Sequence, residues 1–266
     1  MSLRFEDDLV LSTDNAAFLT LSIDDGHPTD LRAAELVASF GLRATFYVPA
    51  RNHERPVMSV AEIRELSTMF EIGSHTLNHR RVNRLTDSEA RVEIDDGKKW
   101  LEDVLSREVV SFCYPGGKYN QRTGQIVKDA GFIGARTCQT NTYSAPADPF
   151  HWGVTTQAYT HGLLTSLRMN SLAGTMNQLR VCGLAHDWET HFVRSLDWVE
   201  VRGGIAHLYI HSWETDLLGE WNKLKRVLVN AASRERLIRV SNGDLFAQWH
   251  KGQKQVNECV QDATSR

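Results

Sequence analysis

AFLTLSIDDGHPTD, residues 17–30, is an apolar run that stops abruptly at two aspartates, a glycine, a histidine and a proline. Successive side chains on a strand point to opposite sides, so Asp24 and Asp25 cannot share one task. Short β-rich runs of the same kind recur along the chain: ATFYV (44–48), FEIGS (70–74), VVSFCY (109–114), FIGAR (132–136), WGVTT (152–156) and IAHLYI (205–210), with LIRV (237–240) as a last, peripheral strand. Helical patterns separate them. DLRAAELVASFG ends in a glycine, SVAEIRELSTM follows ATFYV, Thr86 with Glu89 forms a capping-box signature opening a helix to about Ser106, and QRTGQIVKDAG ends at Gly131. This alternation predicts βα units and a mostly parallel sheet or barrel.

A chain of 266 residues can form one α/β barrel. One domain is expected, with a core over about residues 17–250 and a polar C-terminal tail over 251–266. Segment 141–200 is the least regular part, but it holds no Gly/Ser linker and stays inside that domain. Thirty Lys and Arg against 33 Asp and Glu leave a net charge of −3 without a block of like charge, which disfavours nucleic acid as a partner. Cys113, Cys138, Cys182 and Cys259 lack C-x-x-C spacing and read as reduced thiols. The N-terminus lacks a basic region and an uninterrupted apolar core, and no segment reaches the ~18 apolar residues of a membrane span. A cytoplasmic location is the expectation.

Every chemically suggestive cluster lies where a predicted strand stops. Asp24 and Asp25 follow FLTLSI, His75 and His79 follow FEIGS, Tyr114-Pro115-Gly116-Gly117 close VVSFCY, and His211 follows IAHLYI. In parallel barrels the C-terminal strand ends form one functional rim, so the four clusters converge there. Histidines at i and i+4 share a face of a helical turn and suit one divalent metal. Thr76 stands where an H-E-x-x-H helix carries its glutamate, so the base and third ligand must come from elsewhere. Two carboxylates beside a flexible glycine can supply both. Either cluster alone reads as punctuation: an N-cap and turn for the aspartates, capping side chains for the histidines.

Taken together and in order, these motifs resemble the polysaccharide deacetylases of the NodB-homology, carbohydrate-esterase-4 type. LSIDDGHP is similar to their T-F-D-D-G-P motif, SHTLNH to H-S/T-x-x-H, FCYPGG to R-P-P-Y-G, and IAHLYIHSWE to the last apolar strand ending in a histidine. The resemblance implies a distorted (β/α)7-type barrel and a metal-dependent hydrolase that removes N-acetyl groups from an amino sugar. The sugar would sit in a poly- or oligosaccharide, or in a lipid- or nucleotide-linked precursor. Asp24 matches the general base, Asp25, His75 and His79 the ligands of a divalent metal that activates the attacking water, and His211 the general acid. Zn is the expected metal, with Co, Ni or Mn as alternatives. Gly116 is assigned the backbone N–H that meets the oxyanion, and Asp187, of the pair Asp187-Trp188, the carboxylate that tunes His211, in preference to Asp197.

An Asp-His-His set also occurs in non-haem iron oxygenases, but βα alternation favours the hydrolase. Other readings are a different C–N amide hydrolase on this scaffold, such as a deformylase or a cyclic-amide hydrolase, and a non-catalytic carbohydrate-binding relative. The last is motivated by Cys113, which stands where the family often has an arginine that orients the base. His27 is inserted before Pro28 and reads as a turn residue, and His207 as structural. Trp213, with Tyr114 and Pro115, is the expected sugar-binding wall, and Trp152 and Tyr119 are further rim aromatics. Arg80, Arg81 and Arg84 read as a solvated basic loop.

Overall fold

The computed structural model describes residues 16–159, 172–183 and 187–264, without the side chains of 172–173 and 255–264. Eight strands appear: β1 (Ala17–Asp24), β2 (Thr45–Val48), β3 (Glu71–Ser74), β4 (Ser111–Cys113), β5 (Gly134–Arg136), β6 (Thr156–Gln157), β7 (Gly204–Ile210) and β8 (Ile238–Arg239). Each falls within or beside a run read from the sequence. All pairings are parallel, in the order β5-β4-β3-β2-β1-β7-β6, with the short β8 beside the start of β1. The segment that leads into β6 bonds both ends of this sheet. Trp152 N–H donates to Ala135 O (3.0 Å) and Thr137 N–H to Trp152 O (2.7 Å), while Thr155 N–H donates to His207 O (3.0 Å). The sheet thereby curls into a distorted seven-stranded barrel with helices outside, as expected.

Strand alternation divides the residues. Leu19, Leu21 and Ile23 of β1 are buried in the main apolar cluster with helix residues such as Val37, Phe192 and Leu196. The alternate positions Thr20, Ser22 and Asp24 meet polar partners: Asn242 at 2.9 Å, His207 at 2.8 Å, and Arg136. Arg136 lies on β5, separated from β1 by three strands, so its bond to Asp24 crosses the barrel interior. The helix Asn242–Thr264 plugs the opposite end of the barrel. Its first residue is buried and bonds Thr20, Thr45 and Tyr47, on β1 and β2. Trp249 and His250 tie the same helix to Pro146 O and Ile133 O, and its backbone continues to Thr264, within the stretch expected as a polar tail. The N-terminal leader reading falls on residues 1–15 and the Cys259 thiol on an undescribed side chain; both lie outside the described residues.

The helix expected from Thr86 starts with its capping box and runs to Leu105, but residues Val92–Asp96 form a π turn. The helix Trp188–Arg202 packs on β7 and β1 and carries the buried His191. His191 Nε2 donates to Asn141 Oδ1 (2.8 Å) and Nδ1 accepts from Thr156 Oγ1 (2.6 Å), so the neutral ring is satisfied on both sides. Burial pushes its pKa down to about 4. The unfolded chain takes up a proton near pH 6.5 that this ring refuses, so stability is fully present above that pH and falls as pH drops toward 4. The loss is about 1.4 kcal/mol per pH unit, roughly 3 kcal/mol across the window. Urea midpoints at pH 7 and pH 4.5 should therefore lie closer together in His191→Gln than in the wild type, after allowance for its own constant loss; an undiminished acid loss in the variant refutes this assignment.

Candidate active site

The two aspartates of the opening stretch diverge because the backbone turns between them. Asp24 is the last residue of β1 and points into the barrel, whereas Asp25 has a left-handed φ of 79°. Among the described non-glycine residues with positive φ, Thr76 (70°) and His79 (55°) lie in the facing turn. A side chain held in that region costs on the order of 1–3 kcal/mol, and such strain collects where geometry serves function. Residues 75–79 are therefore not helical, and the shared helical face expected for the two histidines is corrected. The turn itself brings the rings together, with centroids 4.9 Å apart.

That turn is held from behind. Leu77 N–H donates to Glu93 O (2.8 Å), and the buried Glu93 carboxylate accepts from Asn78 N–H (2.8 Å) and Asn78 Nδ2 (2.9 Å). Glu93 sits in the π turn, and Gly97 just after it touches the turn so closely that a Cβ there would lie 2.7 Å from Leu77 N. The interior glycine was the available sign of this close approach.

Asp25, His75 and His79 converge with their donor atoms all within 4.8 Å of one another. His79 Nε2 lies 3.0 Å and His75 Nε2 3.6 Å from Asp25 Oδ1, which is buried and has no hydrogen-bond donor in good geometry. His75 Nδ1 donates to Cys113 O (2.8 Å), because a carbonyl only accepts. In the neutral ring, Nε2 then presents a lone pair to the carboxylate, and two such acceptors face each other well only across a cation. The donor set thus fits a divalent metal. Burial alone would raise the Asp25 pKa, but the close approach of His75 and His79 and the charge of His211 outweigh it and hold the carboxyl well below the usual range. A second grouping, Asp24, His75 and Cys113, is less suited. Burial pushes the Cys113 thiol up, and Asp24 is already engaged.

Asp24 Oδ2 accepts from the Arg136 guanidinium and from the Cys113 thiol (Sγ···Oδ2 3.4 Å), while Oδ1 is buried without a partner. Position 113, where the resemblance expects an arginine beside Asp24, holds a cysteine. The structure supplies one from the next strand: Cys113 and Arg136 are register partners on β4 and β5. Arg136 is fully buried and also lies over the Tyr209 and Tyr47 rings, with Cζ 4.4 and 5.2 Å from their centroids.

His211 lies at the end of β7, its Nε2 3.8 Å from Asp25 Oδ2 and 2.7 Å from Tyr209 OH. Its Nδ1 donates to Glu214 Oε2 at 2.8 Å. Burial lowers the His211 pKa, but the Glu214 hydrogen bond and the charges of Asp25, Glu214 and Asp24 together raise it. Glu214 stands where Asp187 was expected. Asp187 instead caps the helix Trp188–Arg202 through Thr190 N–H (3.0 Å) and pairs with Lys223 (2.6 Å).

The binding wall is also corrected. Tyr114 and Pro115 are buried, Tyr114 edge-on to Phe112, and Trp152 packs against Phe246, so none offers a ring face to a ligand. Gly116 is exposed with φ 63°, and no acceptor for its N–H is recorded among the described residues. Trp213 Nε1 donates to Asp25 Oδ2 (2.8 Å); its ring stacks on His211 and carries the Arg55 guanidinium 3.2 Å away. His27 Nδ1 accepts from Thr29 N–H (3.2 Å) and Thr29 Oγ1 (2.7 Å), a turn role. His207 is buried against Ser22. Arg80 pairs with Glu89 at 3.2 Å.

Residues 12–135 match the sequence model of the polysaccharide deacetylases. That segment, a little under half of the chain, resembles the family. A peptidoglycan-N-acetylglucosamine deacetylase of Bacillus cereus is 30% identical over 140 residues, 52% of this chain and 62% of that protein. YxkH of Bacillus subtilis, assigned to the polysaccharide deacetylases, is 24% identical over 42% of this chain and 41% of its own length. The matches thus span about two fifths to three fifths of these curated relatives. A Mycobacterium smegmatis structure assigned to the same class shares the fold over 91% of this chain and 94% of that one, at TM-score 0.61 and 13% identity. The shared fold therefore extends well beyond the segment matched in sequence. Among the described residues, no helix is long and apolar enough to cross a membrane.

Proposed function

We propose that the chain is a metal-dependent hydrolase that removes acetyl groups from an N-acetylated amino sugar. One observation carries the reading: a buried carboxylate oxygen with no partner, Asp24 Oδ1, lies beside the Asp25-His75-His79 donor set. When bound there, a divalent ion would polarise the amide carbonyl and favour water in its nucleophilic form. Zn suits the mixed nitrogen and oxygen donors, and Co, Ni or Mn would fill the same set. Asp24 takes the proton of the attacking water on Oδ1, while Arg136 and the Cys113 thiol hold Oδ2 and fix the carboxylate plane. The exposed Gly116 N–H meets the developing oxyanion. His211, held by Glu214 and close to Asp25, gives its proton to the departing amine, and acetate and a free amino sugar leave.

Asp24→Asn tests this directly. Acetate release from N-acetylhexosamine oligomers should fall by at least about a thousandfold with metal content unchanged; a variant that keeps turnover refutes the base. Glu214→Gln should move the alkaline limb of the rate profile to lower pH. His211 acts protonated, Glu214 raises its pKa, and removing that charge makes it lose its proton sooner. An unmoved limb excludes Glu214 as the residue that tunes the acid.

A further inference from the structure

Loop 49–58, after β2, spans the rim between the two halves of the site. Met58 N–H donates to Gly26 O (2.8 Å), beside Asp25, and Arg51 N–H donates to Leu77 O (2.9 Å), between His75 and His79. The loop carries Arg51 and Arg55 against a single carboxylate, the exposed Glu54. Arg55 is half-buried, and among the described residues it has no recorded hydrogen-bond acceptor or ion-pair partner. Most other arginines around the fold do: Arg80 meets Glu89, Arg91 Asp129, Arg122 Asp87, and Arg136 Asp24.

The Arg55 guanidinium lies over the Trp213 ring, its Cζ 3.2 Å from the centroid, and the indole N–H is fixed on Asp25 Oδ2. Stacking uses the face of a guanidinium and leaves the N–H groups along its edge to donate in-plane, the geometry that meets a carboxylate or phosphate with two parallel bonds. The ring expected to stack on a neutral sugar is thus already covered by a cation. A second guanidinium flanks the site. Arg81 packs over Gly116, its Nε 3.3 Å from where a Cβ would stand, and among the described residues no carboxylate partner is recorded for it. These cations sit on the rim of a chain whose net charge is −3.

We infer that the cleft contains an anion subsite centred on Arg55, with Arg81 on the opposite flank, so that the substrate is an N-acetylated sugar bearing a carboxylate or phosphate group. This rests on the deacetylase reading of the same cleft and names its substrate class. Because the charge is placed before the chemistry, its effect belongs to binding and to capture from solution.

The test is equilibrium binding at low ionic strength of three probes: N-acetylglucosamine, its 1-phosphate, and N-acetylmuramic acid, which adds a carboxylate. The wild-type chain should bind at least one charged probe about tenfold more tightly than the neutral one. Arg55→Gln should reduce that preference to within about twofold, and Arg236→Gln, an equal charge change near the start of β8, should keep it. A preference for the 1-phosphate alone identifies phosphate as the ligand, and one for the muramic acid alone identifies carboxylate. Equal binding of all three probes, or a preference that survives Arg55→Gln, overturns the subsite. Acetate release is read separately: an Arg55-dependent preference without turnover on any probe keeps the subsite and removes the deacetylase reading.

Discussion

Arg136→Met should cost at least about a hundredfold in acetate release and roughly 3–5 kcal/mol of stability, the usual penalty for leaving one member of a buried ion pair without the other. Asp24 and Arg136 are both buried, and Arg136 is the sole guanidinium recorded on this carboxylate among the described residues. A buried carboxylate without its cation neutralises by binding a proton, and a protonated carboxyl is no base. Arg136→Lys separates charge from shape. Lysine restores the charge without the planar fork, so stability should recover more than turnover does. Urea denaturation and steady-state rates measure the two effects independently, and a fully active, fully stable Arg136→Met protein would show that Asp24 does not depend on this cation.

Asp25→Ala should abolish metal binding and lower acetate release by more than about a thousandfold, the largest expected effect of a single side chain. Its diagnostic is thermal. A ligand that binds only the folded chain raises stability by RT ln(1 + [L]/Kd), about 4 kcal/mol at a thousand times Kd. Adding Zn or Co to chelator-treated protein should raise Tm and restore turnover, and Asp25→Ala should show neither response. Asp24→Asn should keep the thermal response and lose only turnover. If both variants retained the metal-induced rise in Tm, the ligand assignment would be wrong.

The barrel was legible because its strands are short apolar runs and its chemistry begins where those runs stop. Asp24, Asp25, His75, His79 and His211 are brought together as the strand ends implied. What stayed hidden depends on neighbours that are remote in sequence. Arg136 closes FIGAR at the same rim and reads as one more strand residue until the β4–β5 register sets it beside Cys113. Glu214 lies three residues beyond His211 on the first turn of the following helix, on the opposite side from the upstream Asp-Trp pairs that drew attention. Glu93 acts through a π turn, which leaves no periodic signature of its own. Tyr114 shows the converse error, because an aromatic after a strand looks exposed until the packing of Phe112 and Tyr119 is known.

The position of β1 bears on how the chain is made. The strand that ends in Asp24 is bonded on one edge by β7 from Ala17 to Ile23, and near its start on the other edge by β8, while Thr20 awaits Asn242, 222 residues away. Its earliest available neighbour is β2, which covers only Ser22–Asp24. A polypeptide growing from its N-terminus therefore displays an uncovered apolar ribbon for most of its synthesis. Contacts this remote fold slowly and leave sticky edges exposed meanwhile, so the yield of soluble protein should depend on translation speed and on chaperones that shield that ribbon.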